Sequence, residues 1–220
     1  MTRFRRWLRT DGSEQGHTLI EMMIATMLLS LVVASAFGVV IVMQNQAVKT
    51  ADRFTAESEA QTMADRLTKD IRTAVAPTST TAAFASADSN DVVFYANLSD
   101  LATGVGPTRL HAYLSQVGAT GVYVLHEDAT QPSGTVGNYT YTGAIINRLD
   151  GEYIDTTQPL FTYWRSDGTQ ILPMPITSTT DLRSIDSVGV TLRVRVHPNA
   201  PTVVISTRIH IRNVDYNPNN

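Results

Sequence analysis

Cysteine is absent from all 220 residues. That excludes disulfide closure of any loop, thiol nucleophiles and thiolate metal sites. Positive charge is also in short supply: 17 lysines and arginines stand against 20 acidic residues, giving a formal net charge of −3. Such a balance argues against a general nucleic-acid coat. No nucleophile elbow, phosphate loop or dinucleotide fingerprint occurs, and no internal repeat is visible. The five histidines, His17, His111, His126, His197 and His210, include no close pair of the kind a helical zinc motif requires. Only His197 and His210 come within reach of one another, across a terminal hairpin. The expectation is therefore no catalytic residue, no cofactor and no metal. Glycine and proline are missing from Val39 to Ala76, which leaves a long stretch free to be helical.

What is present is concentrated at the start. Arg3, Arg5, Arg6 and Arg9 outweigh Asp11 and Glu14, and then Gly16-His17-Thr18-Leu19-Ile20-Glu21 opens an apolar run from Met22 to Met43. Only Thr26, Ser30, Ser35 and Gly38 interrupt its apolar residues and alanines. As a helix the run reaches about 33 Å, which matches a hydrocarbon core of roughly 30 Å. It is too long for the apolar stretch of a cleaved secretory signal. An uncleaved signal anchor fits, with the arginine-rich head in the cytoplasm and the remainder outside. That plain reading leaves Glu21 unexplained. A carboxylate at the mouth of a membrane helix costs about 2–3 kcal/mol, softened near the interface, so it is a functional candidate.

Gly16, the triplet Thr18-Leu19-Ile20, Glu21 and the apolar helix together resemble the prepilin signature of type IV pilins and type II secretion pseudopilins. The resemblance implies cleavage between Gly16 and His17 by a prepilin peptidase, and N-methylation of the new terminus. Most members carry phenylalanine or methionine where His17 stands. It further implies that Glu21 meets the new α-amine of a neighbouring subunit and sets axial register in a filament. In a dry bundle such a pair is stronger than in water, and an unpaired charge is heavily penalised. Gly38 stands where many major pilins have a helix-kinking proline, and whether the helix is straighter or looser there stays open. The leader's net charge is +2, so the mature chain carries −5.

Four segments are expected: a leader at 1–16, a membrane or filament-core helix at 17–43, an amphipathic continuation at 44–76, and a β-rich head at 77–220 ending in a polar tail from Asn213. The amphipathic stripe reads Ala47, Ala51, Phe54, Ala60, Met63, Leu67, Ile71 and Ala74. Lys49, Asp52, Arg53, Glu57, Glu59, Asp65, Arg66, Lys69, Asp70 and Arg72 take the remaining positions. Pro77 closes a helix expected from Thr18 to Val75. Residues 78–90 read as a loop; 91–98, 109–117, 121–126, 139–142 and 160–165 read as strands, with a loop at 128–138. Ser166-Asp167-Gly168-Thr169 turns the chain back through Gln170 to Met174 as a hairpin, and 180–185 forms one helical turn. Val188, Val190, Leu192, Val194 and Val196, then Ile205, Thr207, Ile209 and Ile211, alternate with polar residues as a half-buried hairpin whose partner is the long helix. The expected fold is α+β and type IV pilin-like, with a long N-terminal helix packed against a C-terminal antiparallel sheet.

Leu67-Thr68-Lys69-Asp70-Ile71-Arg72, Phe161-Thr162-Tyr163-Trp164 ahead of Asp167-Gly168, and Ile211-Arg212-Asn213 follow the order of the J-type minor pseudopilins. That resemblance implies a low-copy subunit at a filament tip. Its partners would be the prepilin peptidase, other pilin or pseudopilin subunits, an inner-membrane assembly platform, and membrane lipid before assembly. Two further features carry a weaker signal. Asp150, Glu152 and Asp155 around Gly151 are oxygen donors suited to calcium, or a solvated turn. Arg193, Arg195, His197, Arg208, His210 and Arg212 gather on the polar face of the last hairpin, to be met by carboxylates, solvent, another minor subunit or DNA. Two rival readings of the whole chain stand beside it: a membrane-anchored extracytoplasmic binding or enzymatic domain, and a major pilin abundant along a filament.

Overall fold

The computed structural model describes residues 18–98, 106–117 and 122–212. The chain divides into two compact units, residues 1–48 and 49–220. Helix α1, Leu19–Arg72, contributes to both. In the first unit every helical residue from Leu19 to Val48 is exposed.

The second unit is built on a sheet of eight antiparallel strands. These are β1 (Phe84–Ala87), β2 (Asp91–Ala96), β3 (Thr108–Val117), β4 (Val122–Thr130), β7 (Ile145–Ile154), β8 (Phe161–Trp164), β9 (Ser187–Val194) and β10 (Val203–His210). Their order is β1-β2-β3-β4-β7-β9-β10, with β8 also paired to β9. A separate two-stranded ribbon joins β5 (Ser133–Thr135) to β6 (Asn138–Thr140), and a short helix α2 covers Thr179–Arg183. This is the expected α+β class, a long N-terminal helix with a C-terminal antiparallel sheet, and it is pilin-like.

Period-two alternation decides which side chains enter the core. Val92, Phe94 and Ala96 on β2, Leu110 and Ala112 on β3, Leu125 and Ala129 on β4, and Val188, Val190, Leu192 and Val194 on β9 are all buried in one cluster. From α1 that cluster takes Ala56, Ala60, Met63, Ala64, Leu67 and Ile71. Small alanines at the helix surface let the backbone approach closely. At Gly151 on β7 the approach is so tight that a Cβ atom would overlap Met63 Sδ.

Several expectations need correction. Phe54 is 68 % exposed, because nine residues before Met63 it lies about two and a half turns away, on the opposite side of the helix. Ala56 occupies the buried face instead. Asp70, assigned to the polar face, is fully buried beside Leu67 and Ile71. The helix stops at Arg72 rather than Val75. The amides of Thr73 and Ala74 donate to the carbonyls of Asp70 and Ile71, tightening the final turn. Beyond it, Val75 N donates to Tyr95 O at 2.8 Å and Asn97 N donates to Thr73 O at 3.2 Å, so the chain exchanges helical for sheet-type pairing. Two strands stand where none is expected: β1, within 78–90, and β7, which runs through Asp150-Gly151 as strand rather than as a turn. The loop at 128–138 is instead the end of β4, a connection, and the ribbon strand β5. The expected hairpin return at 170–174 shrinks to one bridge, Trp164 with Gln170.

Candidate processing and assembly site

Gly16 and His17 lie outside the described residues, as does the polar tail from Asn213. The segment that follows His17 is described and has defined geometry. Thr18 stands at the helix N-cap: its carbonyl accepts from Met22 N at 3.2 Å, the first intrahelical bond. Glu21 Oε2 accepts from Thr18 N at 3.1 Å, and Thr18 Oγ1 accepts from Glu21 N at 3.4 Å. This reciprocal pattern is a capping box, in which two orphan amides at a helix start are satisfied by the side chains themselves. The spacing Thr18-x-x-Glu21 carries that signal in the sequence, and it gives Glu21 a local role beside any role between subunits. The hydroxyls along the apolar run are likewise satisfied within the helix. Thr26 Oγ1 donates to Met22 O at 2.9 Å, Ser30 Oγ to Met27 O at 2.7 Å and Ser35 Oγ to Val32 O at 2.7 Å. Polar groups bonded in this way can sit in an apolar medium. Among the described residues α1 is the one helix long and apolar enough to cross a membrane.

The other residues singled out by the sequence separate in space. His197 Nε2 pairs with Asp52 Oδ2 at 3.1 Å, and His210 Nδ1 with Asp186 Oδ2 at 3.2 Å, so each meets its own carboxylate. His111 and His126 both stack on Tyr113, and they reach Asp91 and Ser115 respectively. Among the described residues no three His, Asp or Glu side chains converge as a metal site would need. The side chains of Asp150 and Glu152 lie outside the described residues. Asp155 is held by Arg195 at 3.1 Å and Arg193 at 3.9 Å and accepts from Thr157 N at 2.9 Å. Burial raises its pKa, but the Thr157 hydrogen bonds and the two arginines outweigh that and keep it below the ordinary carboxylate value.

One ionic group was not legible as a site. Glu127 on β4 and Asp70 on α1 are both fully buried, and Arg148 on β7 is nearly so. Arg148 Nη1 lies 2.9 Å from Asp70 Oδ2 and 3.2 Å from Glu127 Oε1, while Arg66 Nε stands 3.7 Å from each carboxylate. Neither oxygen of Glu127 accepts a well-aligned hydrogen bond among the described residues. Burial, followed by the charge of Asp70, pushes the Glu127 pKa up to about 8 against the pull of Arg148 and Arg66. The signal existed in β4: Leu125, Glu127 and Ala129 share the inward row.

Comparison with known proteins bears on the N-terminal segment alone. No curated protein and no solved structure matches the chain. Residues 12–37, which contain the capping box and most of the apolar run, match the family model described as the prokaryotic N-terminal methylation motif. With the exposed apolar helix, that match supports a type IV pilin-like precursor, a membrane-anchored chain of the kind processed by prepilin peptidase and associated with other pilins.

Proposed function

We propose that this chain is a minor pilin or pseudopilin subunit whose task is assembly rather than catalysis. The observation that carries the reading is the methylation motif at residues 12–37, continuous with an apolar helix whose side chains from Leu19 to Met43 are all exposed. Exposed apolar area of that extent needs lipid or other apolar helices around it. The arginine-rich leader, residues 1–16, holds the N-terminus in the cytoplasm and is cut off between Gly16 and His17. Residues 17–43 sit in lipid before assembly and pack against other subunits afterwards. Residues 44–76 and 77–220 form the extracytoplasmic head that confers partner identity.

In this mechanism Glu21 has two successive partners. Before assembly its carboxylate caps the helix through the Thr18 amide. In the filament it meets the α-amine of a neighbour's His17, a pair that forms only at one axial offset. The order of motifs resembling the J-type minor pseudopilins favours a low-copy subunit at the tip of a type II secretion pseudopilus or a related pilus, docked on the inner-membrane assembly platform during extrusion.

Glu21→Gln tests this. It keeps a capping side chain but loses the charge. The variant is expected to be inserted and cleaved like the wild type, yet to be missing from sheared filaments by quantitative mass spectrometry, in which the wild-type chain is present at few copies per filament. Incorporation of Glu21→Gln at wild-type level would remove the register role, and a wild-type copy number matching the bulk subunit would remove the minor assignment.

A further inference from the structure

The two edges of the large sheet differ. At one end β1 has four residues and a register shift, and its Ala87 carbonyl accepts from Ile176 N at 2.8 Å, with α2 packed alongside. That edge is closed. At the other end β10 has eight residues in unbroken register with β9, and among the described residues it pairs with β9 alone. Its hydrogen-bonding parity follows from the flanking contacts. Ile211 N donates to Asp186 O at 3.0 Å, so Ile209, Thr207, Ile205 and Val203 turn their backbone groups to β9. On β9 the odd residues bond the opposite side, where Thr191 N donates to Leu160 O and Arg193 O accepts from Asp155 N. Val204, Ser206, Arg208 and His210 therefore present their N–H and C=O groups outward, as a template for one more strand.

The side chains along this edge specify what such a strand would carry. The inward row, Val203, Ile205 and Thr207, is half-buried at the rim of the core, and it calls for apolar residues at alternate positions. The outward row, Val204, Ser206, Arg208, His210 and Arg212, draws its positive charge from its two arginines, since His210 is paired with Asp186. Arg208 donates from Nε to Ser187 Oγ at 2.9 Å and lies over the Trp164 ring at 4.5 Å, but it has no carboxylate among the described residues, and neither has Arg212. His210 stands between them. A second copy of β10 would bring cations against this row, whereas carboxylates at alternate positions would neutralise it.

We propose that the β10 edge is a docking site for an extended acidic segment of a partner protein, added as a further strand through the outward backbone groups of Val204, Ser206, Arg208 and His210. The site is independent of where α1 goes, so it stands or falls separately from the filament reading.

The test uses the full chain in detergent micelles and two soluble peptides, one alternating valine with glutamate and the other valine with lysine. Residue-resolved amide exchange is read at β10. The glutamate peptide is expected to slow exchange at the amides of Val204, Ser206, Arg208 and His210 by about tenfold or more, as newly bonded amides are slowed. The amides of Ile205, Thr207 and Ile209, already bonded to β9, should not change. Arg208→Glu should exchange the preference from the glutamate to the lysine peptide. Ser206→Pro, which removes one outward N–H without touching the β9 ladder, should abolish protection while the odd-numbered amides stay protected and so report an intact fold. Equal protection by both peptides, none with either, or concentration-dependent protection without peptide would overturn the proposal. So would a DNA oligonucleotide that binds the arginines and leaves the four amides fast.

Discussion

Burial of a carboxyl group next to a second carboxyl group makes Glu127 the residue that couples this fold to pH. In the unfolded chain it ionises near 4.5, and in the folded chain near 8. Between those values the folded state holds a proton that the unfolded state has released, so stability falls as pH rises across that window and levels off above it. The groups facing it are Arg66 and Asp70 from α1 and Arg148 from β7. Glu127→Gln imitates the protonated form and should remove most of the decline between pH 5 and 8, leaving the variant more stable than the wild type at the alkaline end. Urea unfolding followed by tryptophan fluorescence at several pH values checks this, and equal slopes for the two proteins would show that the proton is held elsewhere. Asp155 acts in the opposite sense, since its depressed pKa makes its contribution one that is lost on acidification.

Among the elements, the close approach of Met63 on α1 to Gly151 on β7 makes a sharp prediction. A side chain at Gly151 would collide with Met63 Sδ, so Gly151→Ala should cost about 1–3 kcal/mol, as overpacked cores do. Met63→Ala opens the space, and the double variant should recover part of the loss, a coupling visible in a double-mutant cycle of unfolding free energies. Additive losses would mean that the helix does not press on β7 there. The same pair shows why some elements were legible and others were not. The β9–β10 hairpin declares itself through eight residues of strict alternation. β7 does not, because Asp150-Gly151 is punctuation of the kind that normally marks a turn, whereas in the fold the Met63 side chain fills the space a Cβ at Gly151 would need. Asp70 and Glu127 escaped for a related cause. Each is an ionisable residue on an apolar row, and only its partners from other elements show why it can be buried.

For the whole molecule, the sequence and the structure are informative about different ends. The pilin-like α+β class and the methylation-motif segment could be read directly, since Gly16, Thr18, Glu21 and the apolar run form a pattern of local spacing. The docking edge at β10 could not, because it depends on strand order, a property of the folded sheet. If residues 1–43 are a prepilin leader and filament-core helix, a prepilin peptidase must recognise this chain and cut it at one bond. The N-terminal residue and intact mass of the chain extracted from membranes, with and without the co-expressed peptidase and beside Gly16→Ala, decide the matter. A start at His17 that requires the peptidase and disappears in Gly16→Ala is the expected result. An intact arginine-rich head whether or not the peptidase is present would contradict it and leave an anchored extracytoplasmic domain in its place.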